Sequence, residues 1–536
     1  MKKLKLVCVA IAMACATPTL AGGLLTNTNQ HVAFDRMMSR EASIGIDGVY
    51  YNPAGVVFMS EGHHLAINWQ LAFQTRTINN DYALFTNNVN NPITPRDFKG
   101  TAFAPVIPSF QYAYNKGKWS FQASFALTGG GGKCTFDDGL GSFEKIVAET
   151  AIAACGLAGV VDQTLGNTLG QPGMEMFTSD QAFGKTGKYS FNSYMHGRQY
   201  YYGLSVGAAY KFCDNFSAFL GVRGVYALTN YYGYVENINV GNMPLYKVLD
   251  PTKESSANIE LSCDQSGVGF TPIIGVDYKT GRWNFSAKYE FKTRIRLKNK
   301  SVNQTPSIGN LPANLANQMT GILTAKYQQA GLPLEQAKQQ AENTTNAVLN
   351  DPTVGATMMG LKTQFDQKLN KAIGEYEDGK KIAGDIPAYL ALGVGYSPVD
   401  AVRVNVGFHW FDDKNATSYN NRNKELKRGT LEYNAGVEVD VNKKITLSTG
   451  WQNTNYGLSD EYMDDKSFVV SSNSVAIGGV YHINKKMDLN VAYFHTFYQH
   501  KKTTEKVQLT ADISRNYSSD YTRNNNVFAV GLDINF

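Results

Sequence analysis

The sequence predicts an all-β protein, a transmembrane antiparallel β-barrel of about 14 strands with its N-terminal segment folded into the lumen and helical loops at one rim. Three observations predict it: recurring segments of strict period-two hydrophobicity, connections whose length alternates with parity, and a leading segment that reads as an export signal.

The leading segment spans residues 1–21. Lys2, Lys3 and Lys5 form its basic end, "LVCVAIAMACA" its apolar core, and "TLA" ending at Ala21 a small-residue cleavage site. The core is too short to span a bilayer. Cleavage before Cys15, as in a lipoprotein, is the weaker alternative because Ala12 stands where an aliphatic residue is expected. The mature chain is expected to be exported and to carry no transmembrane helix.

The strands are clearest at the C-terminus. In "VFAVGLDINF", Phe528, Val530, Leu532, Ile534 and Phe536 share one face, and Ala529, Gly531, Asp533 and Asn535 the other. The same pattern sets Val404, Val406 and Phe408 against Asn405, Gly407 and His409, and Leu489 against Asn490. Segments of this kind fall near 64–78, 108–115, 119–132, 198–212, 216–240, 256–279 and 283–303. They continue near 384–397, 402–417, 427–442, 445–456, 467–484, 487–503 and 524–536. One face is Val, Leu, Ile, Phe, Trp and Tyr. The other mixes Gly, Ala, Ser and Asn with charges, which suits a wet or plugged lumen and not a dry core.

Every second connection is short: "NKGK" (115–118), "CDN" (213–215), "KTGR" (279–282), "SPVDA" (397–401) and "NKK" at 442–444 and 484–486. The others are mostly longer, with two very long ones near 133–197 and 304–383. Short turns at one rim and long loops at the other mark a membrane barrel, whereas a soluble sandwich has no reason to segregate loop length. Within the long loops, 143–158, 311–327 and 358–373 carry helical spacing. These helices either pack on one another as a lid or form an apolar entrance for a greasy ligand.

Composition agrees. The 536 residues include 28 Phe, 31 Tyr and 50 Gly, and only 18% are charged, a mixture suited to strands. The formal charge of +5 includes the three signal lysines, so no nucleic-acid partner is indicated. Cys8 and Cys15 leave with the signal. Of the remaining Cys134, Cys155, Cys213 and Cys263, the first two lie in one irregular segment and either pair or stay free.

Residues 22–62 precede the first strand and are too long for a simple tail. A barrel this wide leaks unless its lumen is filled, so this segment is expected to be a plug ahead of the barrel at 63–536. Within it, "GVYYNPAG" (48–55) encodes a tight turn, because Asn52-Pro53 favours initiation and Gly55 lets the chain reverse.

The stretch "TNQHVAFDRMMSREASIGIDGVYYNPAGVVFMSEGHHLAIN" (28–68) resembles the hatch and first strand of the FadL/TodX outer-membrane transport family. "TGGGGKCTFDDGLGSFE" (128–144) resembles the end of that family's third strand, and "GDIPAYLALGVGYSPVD" (384–400) another strand. The aromatic terminus "NNNVFAVGLDINF" (524–536) resembles that shared by outer-membrane barrels. The resemblance implies a fourteen-stranded barrel plugged by a hatch whose motif is Asn52, Pro53, Ala54 and Gly55. It implies residence in the outer membrane of a Gram-negative bacterium, among its lipids. It also implies uptake of hydrophobic molecules, long-chain fatty acids best known among them, and lateral exit at a kinked third strand. Phe536 is implied as the address read by the barrel assembly machinery. The segment 304–383 matches least, which leaves the ligand open.

On the residues alone, Gly129, Gly130, Gly131 and Gly132 either bend the third strand and open the wall or merely start the following loop. No cofactor is called for: "GGGGKC" lacks the Gly at 127 and the Ser or Thr at 134 of a phosphate loop, since Leu127 and Cys134 stand there. "GVGYSP" and "GVGFTP" carry Pro where a dinucleotide fingerprint needs Gly. Of the eight histidines only His63 and His64 are close, without converging metal ligands. His409 with nearby lumenal carboxylates is the one hydrolase candidate, and no nucleophile accompanies it, so an enzyme is not expected. A plugged transporter and an open porin or structural barrel remain as alternatives.

Overall fold

The computed structural model describes residues 26–306, 308–509 and 513–536, with backbone alone at 131 and 364–373. The export signal, with Cys8 and Cys15, and residues 22–25 lie outside the described residues. Fourteen strands close into a barrel. They are β1 (Gly62–Tyr82), β2 (Arg96–Lys116), β3 (Trp119–Phe136), β4 (Tyr189–Lys211), β5 (Phe216–Val240) and β6 (Ile259–Thr280). β7 runs Trp283–Glu290 and resumes at Arg296–Gln304, and β8 runs Lys381–Ala383 and resumes at Tyr389–Val399. β9 (Val402–Phe411), β10 (Thr430–Asn442), β11 (Ile445–Asn455) and β12 (Ser472–Asn484) follow. β13 runs Met487–Tyr498 and Lys501–Gln508, and β14 is Ser514–Asn535. Antiparallel pairing of β14 with β1, from His64↔Asn535 to Tyr82↔Tyr517, removes the last edges.

The six short connections lie at one rim, two of them turning on Gly117 and Gly281 in the left-handed region (φ +58° and +56°). Several strands reach further towards the long-loop rim than their period shows. β2 begins at Arg96 and not near 108, and β14 at Ser514 and not near 524. β9 is shorter than expected, ending at Phe411. The expected continuous strand 283–303 is broken at 291–295, where Thr293 and Ile295 are buried beside Gly267 and Gly269 of β6.

Side-chain parity follows the sequence. On β9 Val406 is 48% exposed towards the lipid side and Asn405 5% towards the lumen. Phe408, Val437, Leu489 and Leu532 share the outward parity, and Asn434 and Asn490 are buried inward. Arg at Leu489, three residues into β13, should therefore cost more than Arg at Asn490, although less than the roughly 2–4 kcal/mol of a midplane site. Folding into liposomes measures the difference, and equal effects would refute the parity.

At the long-loop rim, α3 (Gly141–Leu169) starts close to the expected 143 and runs a further three turns beyond 158. By length and composition it could cross a membrane, but Phe143, Val147, Ala151, Val161 and Leu165 are buried in the loop core. The longest loop holds α4 (Leu311–Gln329), α5 (Leu334–Leu349) and α6 (Pro352–Ile373), of which α5 was not legible in the sequence.

The N-terminal segment contains α1 (Val32–Met37) and α2 (Gly48–Tyr51), and it touches the inward face of every strand. Asn68, Gln111, Gln122 and Ser217 of β1, β2, β3 and β5 bond its backbone. Ala209 of β4 packs on Ala54 and Val57. Asp277 of β6 accepts from Asn52, and Lys288 of β7 donates to the Tyr50 carbonyl. Gly393 of β8 and Gly478 of β12 lie against Glu41 and Arg36. His409, Glu438, Ser448, Asn490 and Asp533 of β9, β10, β11, β13 and β14 complete the circle. A segment bonded all round the inner wall lies in the lumen. The approach is close: a Cβ at Gly450 would fall 1.6 Å from the Met37 carbonyl oxygen. The lumenal face is small there because the hatch backbone occupies the space.

Candidate functional site: a lumenal cavity beside a broken wall

The predicted turn sits at the short-turn end of the lumen. Asn52 Nδ2 donates to Asp277 Oδ2 (2.6 Å), and Asn52 Oδ1 accepts from the Gly55 N–H (3.1 Å). The Pro53 carbonyl accepts from Gln122 Nε2 (2.7 Å) and the Ala54 carbonyl from Ser217 Oγ (2.7 Å). A Cβ on Gly55 would meet Asn52 Nδ2 at 2.4 Å, so a side chain there would displace the Asn52 amide from its bonds. The motif thus ties β3, β5 and β6 together through three consecutive residues, Asn52, Pro53 and Ala54.

Buried charges hold the rest of the hatch. Arg36 and Arg40 both bond Glu438, and Arg40 Nε also meets Asp47 Oδ2 at 2.7 Å. His409 lies between Glu41 (2.7 Å) and Glu432 (2.8 Å), which makes it part of the hatch–wall contact. Arg403 pairs with Asp440 (2.7 Å), and Asp488 with His482 (2.7 Å). These charges are therefore joined to the plug or to neighbouring wall side chains.

The wall is broken between β2 and β3. Their pairing runs from Lys116↔Trp119 to Ser109↔Ala126, stops, and resumes at Ala102↔Cys134. Residues 103–108 of β2 and 127–133 of β3 have no partners across this seam. Both sides have a local cause. β2 carries Pro105 and Pro108, which lack the N–H a ladder needs. The Pro105 carbonyl is taken by Trp69 Nε1 (2.8 Å).

β3 carries the glycine run. Its register against β4 slips between Leu127 and Gly129 and again between Gly130 and Gly132. Gly130 has φ +71°, and a Cβ there would lie 2.3 Å from the Gln199 carbonyl oxygen. The start of the hatch seats in this bend. Thr26 bridges Gly129, and Asn27 Nδ2 donates to the carbonyls of Leu127 (3.1 Å) and Gly130 (2.8 Å). Outward side chains within the seam, Phe103 (52% exposed) and Val106 (60%), are apolar, as on the lipid-facing side of such a wall. The two prolines were legible in "APVIP" as an edge signal and were not read that way.

Behind the seam lies a cavity of about 320 Å³ in the size range of ligand pockets. Gly130, Gly132, Cys134, Phe34 and Met38 line it, with Arg76 and Arg523 above. A second cavity, about 100 Å³, lies among the loop helices and is almost wholly apolar, lined by Leu157, Val161, Phe177, Leu249, Leu315 and Leu361 among others. The loop helices thus pack on each other and leave a greasy hollow.

Cys134 and Cys155 are both free thiols, and Cys134 lies on β3, outside any irregular segment. His63 bonds Tyr112 (2.7 Å) and His64 bonds Asn535 (2.6 Å) at the short-turn rim, and no cluster of three metal-binding side chains forms among the described residues.

In the long loop, burial pushes the Glu375 carboxyl up to about 8, against the opposing pull of Lys466 and Arg422. Its Oε2 has no hydrogen-bond partner. Because the folded loop holds this proton more tightly than the open chain, its stability falls as pH rises from the ordinary carboxylate range through about 8. Amide protection of residues 374–380, normalised to the unstructured chain at each pH, should drop between pH 5 and 9. Glu375→Gln should flatten that dependence, and an unaltered drop would exclude Glu375 as its source.

No protein-family model matches the sequence, and no curated protein matches it. In structure the chain is similar to a FadL homologue from Pseudomonas aeruginosa, with a TM-score of 0.56 at 14% identity over 98% of this chain and 100% of that one. It is also similar to a deltaS2S3 mutant of TodX, a monoaromatic hydrocarbon channel, with a TM-score of 0.51 at 13% identity over 96% of this chain and 100% of that one. Wall and filled lumen define a transmembrane β-barrel with a blocked axis. Its fold is that of the FadL/TodX transport barrels, so the resemblance seen in the hatch sequence extends to the architecture of the whole chain.

Proposed function

We propose that this chain is an outer-membrane transporter of a Gram-negative bacterium for hydrophobic molecules, long-chain fatty acids foremost, with lateral release into the bilayer. The observation that carries this is the seam between β2 and β3, which opens beside a lumenal cavity while the hatch fills the axis. The apolar hollow among the loop helices supports capture from the external side, and the cavity behind the seam supports a second stop. At about 0.8 kcal/mol per buried CH₂, a long acyl chain favours greasy surfaces and then lipid over an aqueous pore. The similar structures, a FadL homologue and a monoaromatic hydrocarbon channel, agree with this substrate class. Phe536, whose N–H bonds the His63 carbonyl at the closing seam, is the proposed signal for the barrel assembly machinery.

An open porin or a purely structural barrel is the alternative, and the filled lumen speaks against the porin. Cells lacking their own uptake barrel and complemented with this chain should take up labelled oleate faster than uncomplemented cells, with no gain for a small sugar. Gain for the sugar, or none for oleate, would overturn the reading.

A further inference from the structure

Where β7 resumes after its break, the sequence "RIRLKNK" (294–300) alternates cations with buried residues. Ile295, Leu297 and Asn299 are buried on one face, and Arg294, Arg296, Lys298 and Lys300 are all exposed on the other. β8 adds a fifth cation, because Lys381 is exposed and stands directly opposite Lys298 in the ladder. Of these five, among the described residues, only Arg296 has an ion pair, with Asp385 at 2.8 Å. The neighbouring carboxylates are already engaged. Asp264, the cross-strand partner of Lys300, accepts from Asn230 Nδ2 (2.8 Å), Asp378 accepts from the Ser301 N–H (2.8 Å), and Glu377 pairs with Lys380 (3.6 Å). Like charges directly opposite on a sheet destabilise it. Lysines also guard open sheet edges, but Lys298 is paired on both sides, with Ser266 and with Lys381. Arg294, Lys298, Lys300 and Lys381 are thus open to an anion from outside the chain.

The stripe begins where the apolar band ends. On β6, Tyr278, Val276, Ile274, Phe270 and Val268 are exposed, and their run is as long as a tilted strand needs to cross a bilayer, about 9–11 residues. Ser266 and Asp264 follow them on the same face. Gly267 and Gly269 lie against the backbones of Arg296 and Arg294, so the cations start beside Val268 and Phe270 and climb towards the long loops. Long loops mark the external side of such barrels. Basic side chains beside a membrane span attract anionic headgroups, and Arg and Lys both bind phosphate. From Arg294 to Lys298 the chain covers about 13 Å, room for more than one phosphate on one head group. We propose that Arg294, Lys298, Lys300 and Lys381 form an external-leaflet site for a phosphorylated glycolipid of the lipid A type. Its phosphates sit on the cations and its acyl chains run down over Val268 and Phe270. This rests on the outer-membrane placement proposed above and not on transport.

The test uses the purified full chain in detergent and three probes: bisphosphorylated lipid A, lipid A stripped of both phosphates, and phosphatidylglycerol. Bound lipid is counted by native mass spectrometry across a titration. The parent should bind bisphosphorylated lipid A at least tenfold more tightly than either other probe. R294Q/K298Q/K300Q/K381Q should lose at least tenfold of that affinity. K443Q/K444Q/K485Q/K486Q, which removes the same charge from exposed positions at the short-turn rim, should keep it. The parent alone already decides: equal binding of stripped lipid A, or of phosphatidylglycerol, overturns the site. Affinity that survives the first variant overturns it, and so does an equal loss in the second. Binding to purified protein involves no uptake, so each of these results leaves the transport reading standing. Fractionation that finds the chain outside the outer membrane would overturn the placement and this site with it.

Discussion

A chain lacking residues 22–61 should assemble as an open barrel with large single-channel conductance in planar bilayers, where the parent stays closed. The hatch meets all fourteen strands from within the lumen, whereas α3 packs in the loop core. Two point substitutions should reproduce part of the effect. Glu438→Ala strips the shared partner from two buried guanidinium groups, a change of the kind that costs about 3–5 kcal/mol. Gly450→Val places a side chain where the Met37 carbonyl stands and forces α1 away from β11. Either variant should flicker between closed and conducting states, because the remaining contacts still favour docking. A deletion barrel that remains closed would show that the hatch does not seal the lumen.

The barrel was legible because lipid imposes a pattern on it. Where a strand crosses the apolar band, one side of the wall is greasy and the other is small or polar, so the period appears in 528–536 or 402–408 without ambiguity. Above the band both faces meet water or loops, and the pattern fades. This hid the first half of β2 and the "SRNYSSDYTR" that opens β14. Helix α5 escaped for a related reason: its buried face is Ala337, Ala341, Thr345 and Val348, too small to register as an apolar stripe.

The hatch was legible from its length and turn, but its bonds were not. Arg36 and Glu438 are some four hundred residues apart in sequence, and nothing local announces that they meet. At the seam the glycine half was visible and the proline half was passed over. The expected start of β2 near 108 fell well inside the strand, which begins at Arg96. The seam is thus written twice, once in each strand, by residues that cannot keep a ladder.

Sewing that seam shut tests the central claim most directly. A Cβ built on Gly132 lies 3.8 Å from Ala104 Cβ across the gap, the separation a disulfide prefers. Gly132 has nothing else within 4 Å of that position, so cysteine is accommodated there. The double variant Ala104→Cys/Gly132→Cys, with Cys134→Ser to remove the neighbouring thiol, should form the bond in an oxidising compartment. Labelled oleate uptake is then measured in complemented cells before and after reduction. The account predicts uptake at least tenfold below the reduced level while the bond is intact, and recovery when it is cut. Equal uptake with the bond formed and broken would contradict lateral release between β2 and β3.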